Sequence, residues 1–437
     1  MLQLSKDIVE LYNGNEVILV NPKKSSWIKI PTKWYEEIKV GDAMAEERIK
    51  SYLIKYSLLE ESNVLEKSYY GKVPFSVYLF LTRKCNLECS FCSMRSSPSF
   101  KEKGLGIEEW KDIIDQLREY KIKRIILTGG EPTLYDCFKE LVEYIRKNMD
   151  CEIILSTNGV HLNSKLKTLI AESISRVDIS WESIYGEYPQ LKKQLRQNVT
   201  QLIEIGANVH LSYVMTKENR KYVQQFLDDA LSYNVEIDLK IVSPIVNGKE
   251  YKDILLEENA FLRSYLRILN YVNKMKLRDE QLEKIKSLIS ITPKPALSCG
   301  GGNRGIMAVY PDGKIYPCHS VAREDYIIGD LRKGKLKDFL EYKDFDTQEI
   351  FRVDNQKYCQ KCSIRYFCQG RCAGEISKLS DTYQKPLQCE FKKILINYYL
   401  WDYKPKKNVR EIFIDIEDRV QSRLEELEME NGKNSID

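Results

Sequence analysis

Apolar and polar positions alternate in short runs over the first 70 residues. Ile8 to Tyr12, Glu16 to Val20 and Trp27 to Ile30 read as strands, the last two separated by a segment that begins Asn21-Pro22-Lys23-Lys24. Behind them Met44, Ile49, Tyr52, Leu53, Tyr56 and Leu58 recur at mostly helical spacing between Ala43 and Glu60. Short strands followed by helices predict a winged-helix-like module over residues 1–70. From 74 to 246 the pattern changes to strand then helix, repeated. The strands are Val77 to Leu81, Arg124 to Thr128, Glu152 to Ser156, Val177 to Ser180, Val209 to Val214 and Glu236 to Lys240, with amphipathic stretches such as Ile107 to Tyr120, Phe138 to Lys147 and Val223 to Tyr233 between them. Six such units predict an α/β fold with a parallel sheet. A partial (β/α)6 barrel fits better than a doubly wound sheet, because the Cys-, Gly- and Ser-containing segments fall at the C-terminal ends of the strands, the rim that carries chemistry in barrels.

Beyond the barrel, 247–292 is charged and helical and reads as a connector. Residues 293–400 are punctuated by Gly, Pro and Cys, as suits a small domain held together by metal more than by a large core. Residues 401–437 are highly charged with a helical run around Val420 to Glu430, which predicts a solvated terminal helix and a frayed end.

Composition adds exclusions. The formal charge is +4, from 68 Lys and Arg against 64 Asp and Glu, so neither nucleic-acid binding nor disorder is implied. No apolar run approaches the ~20 residues of a membrane helix, and Met1 to Lys6 carries no export signal. The expectation is a cytoplasmic protein with no membrane and no nucleic-acid partner. Twelve cysteines in such a chain point to metal ligation, since the cytosol keeps thiols reduced. Cys137 and Cys151 stand apart and read as small buried hydrophobes. The other ten form three knots.

The first knot is Cys85-xxx-Cys89-xx-Cys92, directly after the first barrel strand. Three thiolates on one loop can hold three irons of a [4Fe-4S] cluster and leave the fourth iron open. Zinc is the alternative, but structural zinc takes four closed ligands, and the histidines His161, His210 and His319 all lie far off in sequence. With Phe91 before the third cysteine and a partial barrel around it, the motif resembles the radical S-adenosylmethionine (SAM) superfamily. That resemblance implies that SAM chelates the open iron and that reductive cleavage yields a 5'-deoxyadenosyl radical. Gly129, Gly130, Glu131 and Pro132, at the end of the second strand, are similar to the family's GGEP segment, which meets the methionine end of SAM. Ser156, Asn158, Ser180 and Glu182 lie at rim positions that the family places near the ribose. Glu182 stands where related sequences commonly carry Asp. Among rim residues Asp238, Lys240 and Glu182 are unranked candidates for a general base, because their facing depends on strand register.

The remaining knots are Cys299 and Cys318, with Gly313 between them, and Cys359, Cys362, Cys368, Cys372 and Cys389. Their spacing resembles the seven-cysteine SPASM domain of radical SAM enzymes that modify peptides or proteins. By that resemblance Cys299, Cys318 and Cys372 hold one auxiliary [4Fe-4S] cluster, and Cys359, Cys362, Cys368 and Cys389 the other, for three clusters in all; two zinc knuckles are the alternative. The stretch Gly300 to Gly305 offers the first auxiliary cluster no further thiol, which leaves an open iron, a non-cysteine ligand or water there. The N-terminal unit resembles, more loosely, the PqqD-like leader-recognition domain, which implies capture of a leader peptide along Ser25 to Ile30 with the helix around Glu47 to Tyr56 closing the groove. Together these resemblances imply a maturase that crosslinks a precursor peptide bearing a leader sequence, a thioether being the first expectation and a carbon-carbon bond the second. The auxiliary clusters take the leftover electron, and a flavodoxin or ferredoxin serves as electron donor. The alternatives are an enzyme of the anaerobic sulfatase-maturating type and a non-catalytic iron-sulfur electron carrier.

Overall fold

The computed structural model describes residues 3–60, 74–101, 104–242, 255–301, 305–340, 347–378 and 385–433. The predicted boundary near residue 70, the start of the connector, and Gly302, Asn303 and Arg304 of the stretch after Cys299 lie outside the described residues.

Three antiparallel strands, β1 (Val9–Asn13), β2 (Glu16–Asn21) and β3 (Ser26–Pro31), form a sheet in chain order, followed by helices Thr32–Lys39 and Ala43–Lys55. Period-two alternation gives this sheet two buried faces. Val17, Leu19, Ile28 and Ile30 pack under the helices with Tyr35, Ile38, Ile49 and Leu53. Leu11, Ile18 and Val20 pack instead on Ile364, Phe367, Ile396 and Leu400 of the C-terminal region. Trp27 fixes the docking: its indole N–H donates to the Pro293 carbonyl at 3.1 Å, and its ring meets Phe367 edge-on at 5.5 Å. The first module is thus built onto the last.

The predicted six strands are present as β4 (Ser76–Phe80), β5 (Arg124–Thr128), β6 (Glu152–Thr157), β7 (Arg176–Ser180), β8 (Val209–Met215) and β9 (Glu236–Ile241), parallel neighbours in sequence order. Val77, Leu79, Ile125, Leu127, Ile153, Leu155, Val177, Ile179, Leu211 and Ile237 face the outer helices in the main core. Alternate residues therefore line the inside of the barrel. Each outer helix supplies an apolar stripe; in Ile107–Arg118 it is Trp110, Ile113, Ile114 and Leu117, and the Gly106 N–H at its start donates to the Glu109 carboxylate at 2.7 Å.

The C-terminal region is joined to the barrel: β10 (Ile306–Val309) pairs in parallel with β4, and β11 (Lys314–Tyr316) and β12 (Gly329–Asp330) follow antiparallel, so the sheet has nine strands. One expectation needs correction: the C-terminal helix is not solvated. Val409–Lys433 lays Ile412, Phe413, Ile416, Val420 and Leu424 into the main core beside Phe261, Leu262, Tyr265 and Leu269 of the connector helix Glu258–Lys274. The near i, i+4 spacing of that stripe was masked by the high charge on the helix's other faces. Among the described residues no helix is long and apolar enough to cross a membrane.

Candidate active site and cluster-binding loops

The loop after β4 carries Cys85, Cys89 and Cys92. It is held from below by the end of β5, where Gly130 N–H donates to the Thr82 carbonyl at 2.7 Å and Glu131 N–H to the Lys84 carbonyl at 2.9 Å. Only glycine permits this approach: a β-carbon on Gly129, whose φ is +138°, would lie 2.4 Å from the Thr82 oxygen. These glycines serve the contact between the two loops. The Glu131 side chain is buried and accepts from Thr133 N–H and Oγ, Thr157 Oγ and Asn158 N–H at 2.7–3.1 Å. Burial pushes its pKa up against the opposing pull of those donors. Asn158 in turn donates to Asn86 Oδ1 at 2.8 Å and reaches the Cys85 sulfur at 3.7 Å. Across the loop, Glu187 accepts from Ser90, and the Tyr188 hydroxyl accepts from Glu88 N–H.

The lumen is polar on its far side. Ser180, Ser212 and Asp238 stand in register on β7, β8 and β9. Lys240 lies 3.0 Å from Asp238 and 3.3 Å from the Ser212 hydroxyl, with both charged side chains half exposed. Register thus settles the facing of Asp238 and Lys240: inward. Glu182, buried just past β7, accepts from Val214 N–H at 3.3 Å, and burial raises its pKa to about 7, against the pull of backbone N–H groups and Lys240. On the near side Cys92 packs with Tyr78, Phe80, Met94 and Tyr310.

His319, which sequence reasoning left unassigned, stacks on Tyr78 with centroids 4.3 Å apart and places Nδ1 3.6 Å from the Cys318 sulfur. Its ring is exposed yet surrounded by protein, the condition inside a cavity, and desolvation with the nearby Lys240 charge pulls its pKa down to about 4. The signal for it was the placement of a histidine directly after a candidate ligand. The first cysteine loop and the Cys318 loop therefore open on one lumen. A separate cavity of ≈740 Å³ lies between helices Cys389–Asn397 and Val409–Lys433. Its lining of Glu390, Lys393, Arg419 and Arg423 is largely ion-paired, and it holds none of the predicted site residues.

The ten cysteines come together in the anticipated groups. Cys85, Cys89 and Cys92 feel one another's charge; so do Cys299, Cys318 and Cys372, and Cys359, Cys362, Cys368 and Cys389. All twelve are free thiols, and Cys137 and Cys151 stay outside these groups. Burial pushes the Cys318 and Cys389 thiols up to about 12 and Cys359 and Cys372 to about 11. Such thiols ionise when a metal takes the proton's place. Among the described residues no three Cys, His, Asp or Glu side chains converge on a single ion.

Strands β4 to β9 run parallel as a part-barrel, with a three-thiol loop after β4 and two further thiol sets in the C-terminal region, the make-up of the class of cluster-binding barrels. Residues 79–230 match the radical SAM superfamily, and 299–363 match the SPASM iron-sulfur cluster-binding domain. The chain thus carries a radical SAM region and a SPASM domain. It is 26% identical over 204 residues to a GTP 3',8-cyclase of Clostridium perfringens (strain SM101 / Type A), covering 44% of this chain and 62% of that one. It is 24% identical over 266 residues to the PqqA peptide cyclase of Bradyrhizobium diazoefficiens, covering 57% and 67%. The chain thus spans less than two thirds of the length of the GTP 3',8-cyclase. In fold it resembles Streptococcus suis SuiB bound to precursor peptide SuiA, with a TM-score of 0.55 at 15% identity over 89% of this chain and 100% of that one. It also resembles anSMEcpe with bound AdoMet and the Cp18Cys peptide, with a TM-score of 0.59 at 16% identity over 79% and 99%.

SAM and [4Fe-4S] clusters, auxiliary ones included, are the groups this family binds. The loops fit them. Buried polar atoms are normally paired, yet Asn86 Nδ2 beside Cys85, Ser298 Oγ beside Cys299, and Arg371 Nε and Nη2 beside Cys372 have no partner among the described residues. A cluster's negative sulfurs would accept from such donors, as the Cys85 and Cys318 sulfurs already do from Leu87 and Ser320 N–H.

Proposed function

We propose that this chain is a radical SAM maturase that crosslinks a ribosomally made precursor peptide. The observation that carries the reading is the shared lumen, with the Cys85–Cys92 loop on one side and Cys318-His319, stacked on Tyr78, on the other. Cys85, Cys89 and Cys92 would hold the SAM-binding cluster, Cys299, Cys318 and Cys372 one auxiliary cluster, and Cys359, Cys362, Cys368 and Cys389 the second. SAM with its cluster, when bound, supplies a 5'-deoxyadenosyl radical.

The chain's own part is positioning. Phe91, Gly129, Gly130, Pro132, Ser156 and Ser180 line the SAM end of the rim. Glu131 and Asn158, being engaged with protein groups, shape that rim from behind it. Glu182 offers the ribose a carboxylate. Lys240, Asp238 and Ser212 face the substrate, and the apolar wall of Tyr78, Phe80 and Tyr310 keeps water from a reactive radical. The reaction would balance with a carrier of the ferredoxin or flavodoxin class supplying the electron that cleaves SAM: the substrate would lose one hydrogen atom from carbon to the deoxyadenosyl group and one proton, a C–S or C–C bond would form, and the auxiliary clusters would take the remaining electron. A thioether is the first expectation and a carbon-carbon bond the second.

Support for a peptide with a leader comes from the N-terminal module. β3 is an edge strand, pairing only with β2 among the described residues, and helix Ala43–Lys55 lies over the same sheet through Ile49 and Leu53, so an added strand along β3 would extend the sheet. The test is anaerobic reconstitution with iron and sulfide, then dithionite and SAM. About twelve irons, by four per cluster, with 5'-deoxyadenosine formed and a candidate peptide losing two mass units on crosslinking, are expected. Bound zinc, or loaded clusters without SAM cleavage when candidate peptides are present, would overturn it in favour of a structural or electron-carrier protein.

A further inference from the structure

Arg371 occupies the span between the two auxiliary cysteine sets. It follows the turn Gln369-Gly370, in which both residues have positive φ, +61° and +71°, and it precedes Cys372. Its backbone N–H donates to Gln356 Oε1 at 2.6 Å, and the Gln356 carbonyl in turn accepts from Cys359 N–H at 2.8 Å. Gln356 is itself buried and donates to the Phe351 carbonyl at 3.1 Å. A β-carbon on Gly370 would lie 2.2 Å from Gln356 Oε1, so this clamp requires glycine there. The clamp ties the backbone of one set to the loop of the other. The charge of Arg371 reaches the Cys359 sulfur, where it favours the thiolate.

The guanidinium is left in a costly state. Nε and Nη2 are buried and without a hydrogen-bond partner among the described residues. The residue as a whole is half-buried, and the charge of the buried Glu375 carboxylate acts on it without forming an ion pair among the described residues. Each unpaired buried donor costs stability. Planar donors side by side suit an anionic acceptor with several lone pairs. The thiolate and sulfide sulfurs of a cluster held by Cys359 and its partners are such an acceptor.

The geometry points to Arg371 as a positioning residue of the second auxiliary cluster, donating from Nε and Nη2 to its sulfurs and raising its reduction potential. The inference rests on reading Cys359, Cys362, Cys368 and Cys389 as a [4Fe-4S] site. A hydrogen-bonded cation stabilises the more negative, reduced cluster.

The experiment is an EPR-monitored redox titration of anaerobically reconstituted full-length protein, with iron counted, for wild type, Arg371→Met and Arg371→Lys. Arg371→Met is expected to lower the midpoint of one auxiliary signal while the SAM-binding cluster keeps its own, and Arg371→Lys, with the charge but not the fork, to fall between. A second readout needs no cluster. In iron-free protein Arg371→Met is expected to melt at the same or a higher temperature than wild type, because it removes two buried donors that have no partner among the described residues. Unchanged midpoints in fully loaded variants, or a lower melting temperature of the iron-free variant, would overturn the role of Arg371. Wild-type protein that shows no auxiliary-cluster signal would instead overturn the cluster reading beneath it.

Discussion

Gly130 and Lys84 touch backbone to backbone: a β-carbon built on Gly130 stands 2.3 Å from the Lys84 carbonyl oxygen, and the next residue's N–H is hydrogen-bonded to that same oxygen. Neither partner is the flexible end of a side chain, so nothing can yield without moving the cysteine loop. Gly130→Ala is therefore expected to displace Cys85 and to lose about four of about twelve irons, with the auxiliary clusters retained. Iron quantification with EPR checks this; a fully loaded variant would show that the loop tolerates the shift.

Glu131 makes a related prediction by a different force. Its buried carboxylate gathers two hydroxyls and two backbone N–H groups from two strand ends. In Glu131→Gln one oxygen becomes an NH2 that must face donors, which is expected to cost about 2–4 kcal/mol through an unsatisfied buried group. Urea denaturation of the cluster-free protein measures it, and a loss under about 1 kcal/mol would refute the assignment.

How far the chain could be read without coordinates depended on the periodicity of each part. The six barrel strands were legible because β-branched runs alternate with amphipathic stretches, and Cys85, Cys89 and Cys92 because three thiols crowd into one loop. The pairing of β10 with β4 was not, since a four-residue strand 230 residues from its partner leaves no local signature. Nor was the service of Gly129 and Gly130 to Thr82 and Lys84, because a glycine's motif position does not say which backbone comes close. The facing of Lys240 and Asp238 waited on register, and His319 gained meaning only when Tyr78 was found against it.

Glu182 sets a pH dependence of opposite sign to that of an ordinary ion-paired carboxylate. Its folded pKa, about 7, lies above the ordinary carboxylate value of 4.5, so the native state binds the proton more tightly than the unfolded chain. Its contribution to stability is then most favourable below about 4.5 and is lost as pH rises through about 7, on the order of 3 kcal/mol over the window. Glu390, held by Lys385, Lys393 and Arg423 with its pKa lowered to about 2, works the other way: its contribution is present above 4.5 and is lost as pH falls toward 2. In cluster-free protein Glu182→Gln removes this dependence, so the wild-type-minus-variant stability difference is expected to fall by about 3 kcal/mol as pH rises from 4.5 to 7 and to stay level outside that window. A difference that does not change across that range would show that Glu182 is ionised throughout.

The C-terminal helix is an integral wall. Phe413 has 0% exposure and sits in the same core as the connector helix. Phe413→Ala is expected to cost about 3–5 kcal/mol and to lower the melting temperature of the whole cooperative unit, connector included. A variant that melts like wild type would restore the picture of a loosely attached tail.

Trp27 links the first module to the second auxiliary cysteine set, since Phe367, the ring it meets edge-on, is followed directly by Cys368, and Cys362 and Cys368 pack in the same cluster as Leu11, Ile18 and Val20. Trp27→Ala removes that ring contact and the bond to Pro293, an expected loss of about 2–3 kcal/mol for a partly exposed aromatic. Hydrogen exchange is the sensitive readout. Amides of Glu16–Asn21 and of the Cys362–Cys368 loop should exchange faster together, because each buries the other, while the barrel strands β5 to β7 keep their protection. Faster exchange in the sheet alone would mean that the module and the cysteine loop open independently, and a leader bound on β3 would then have no mechanical path to the auxiliary site.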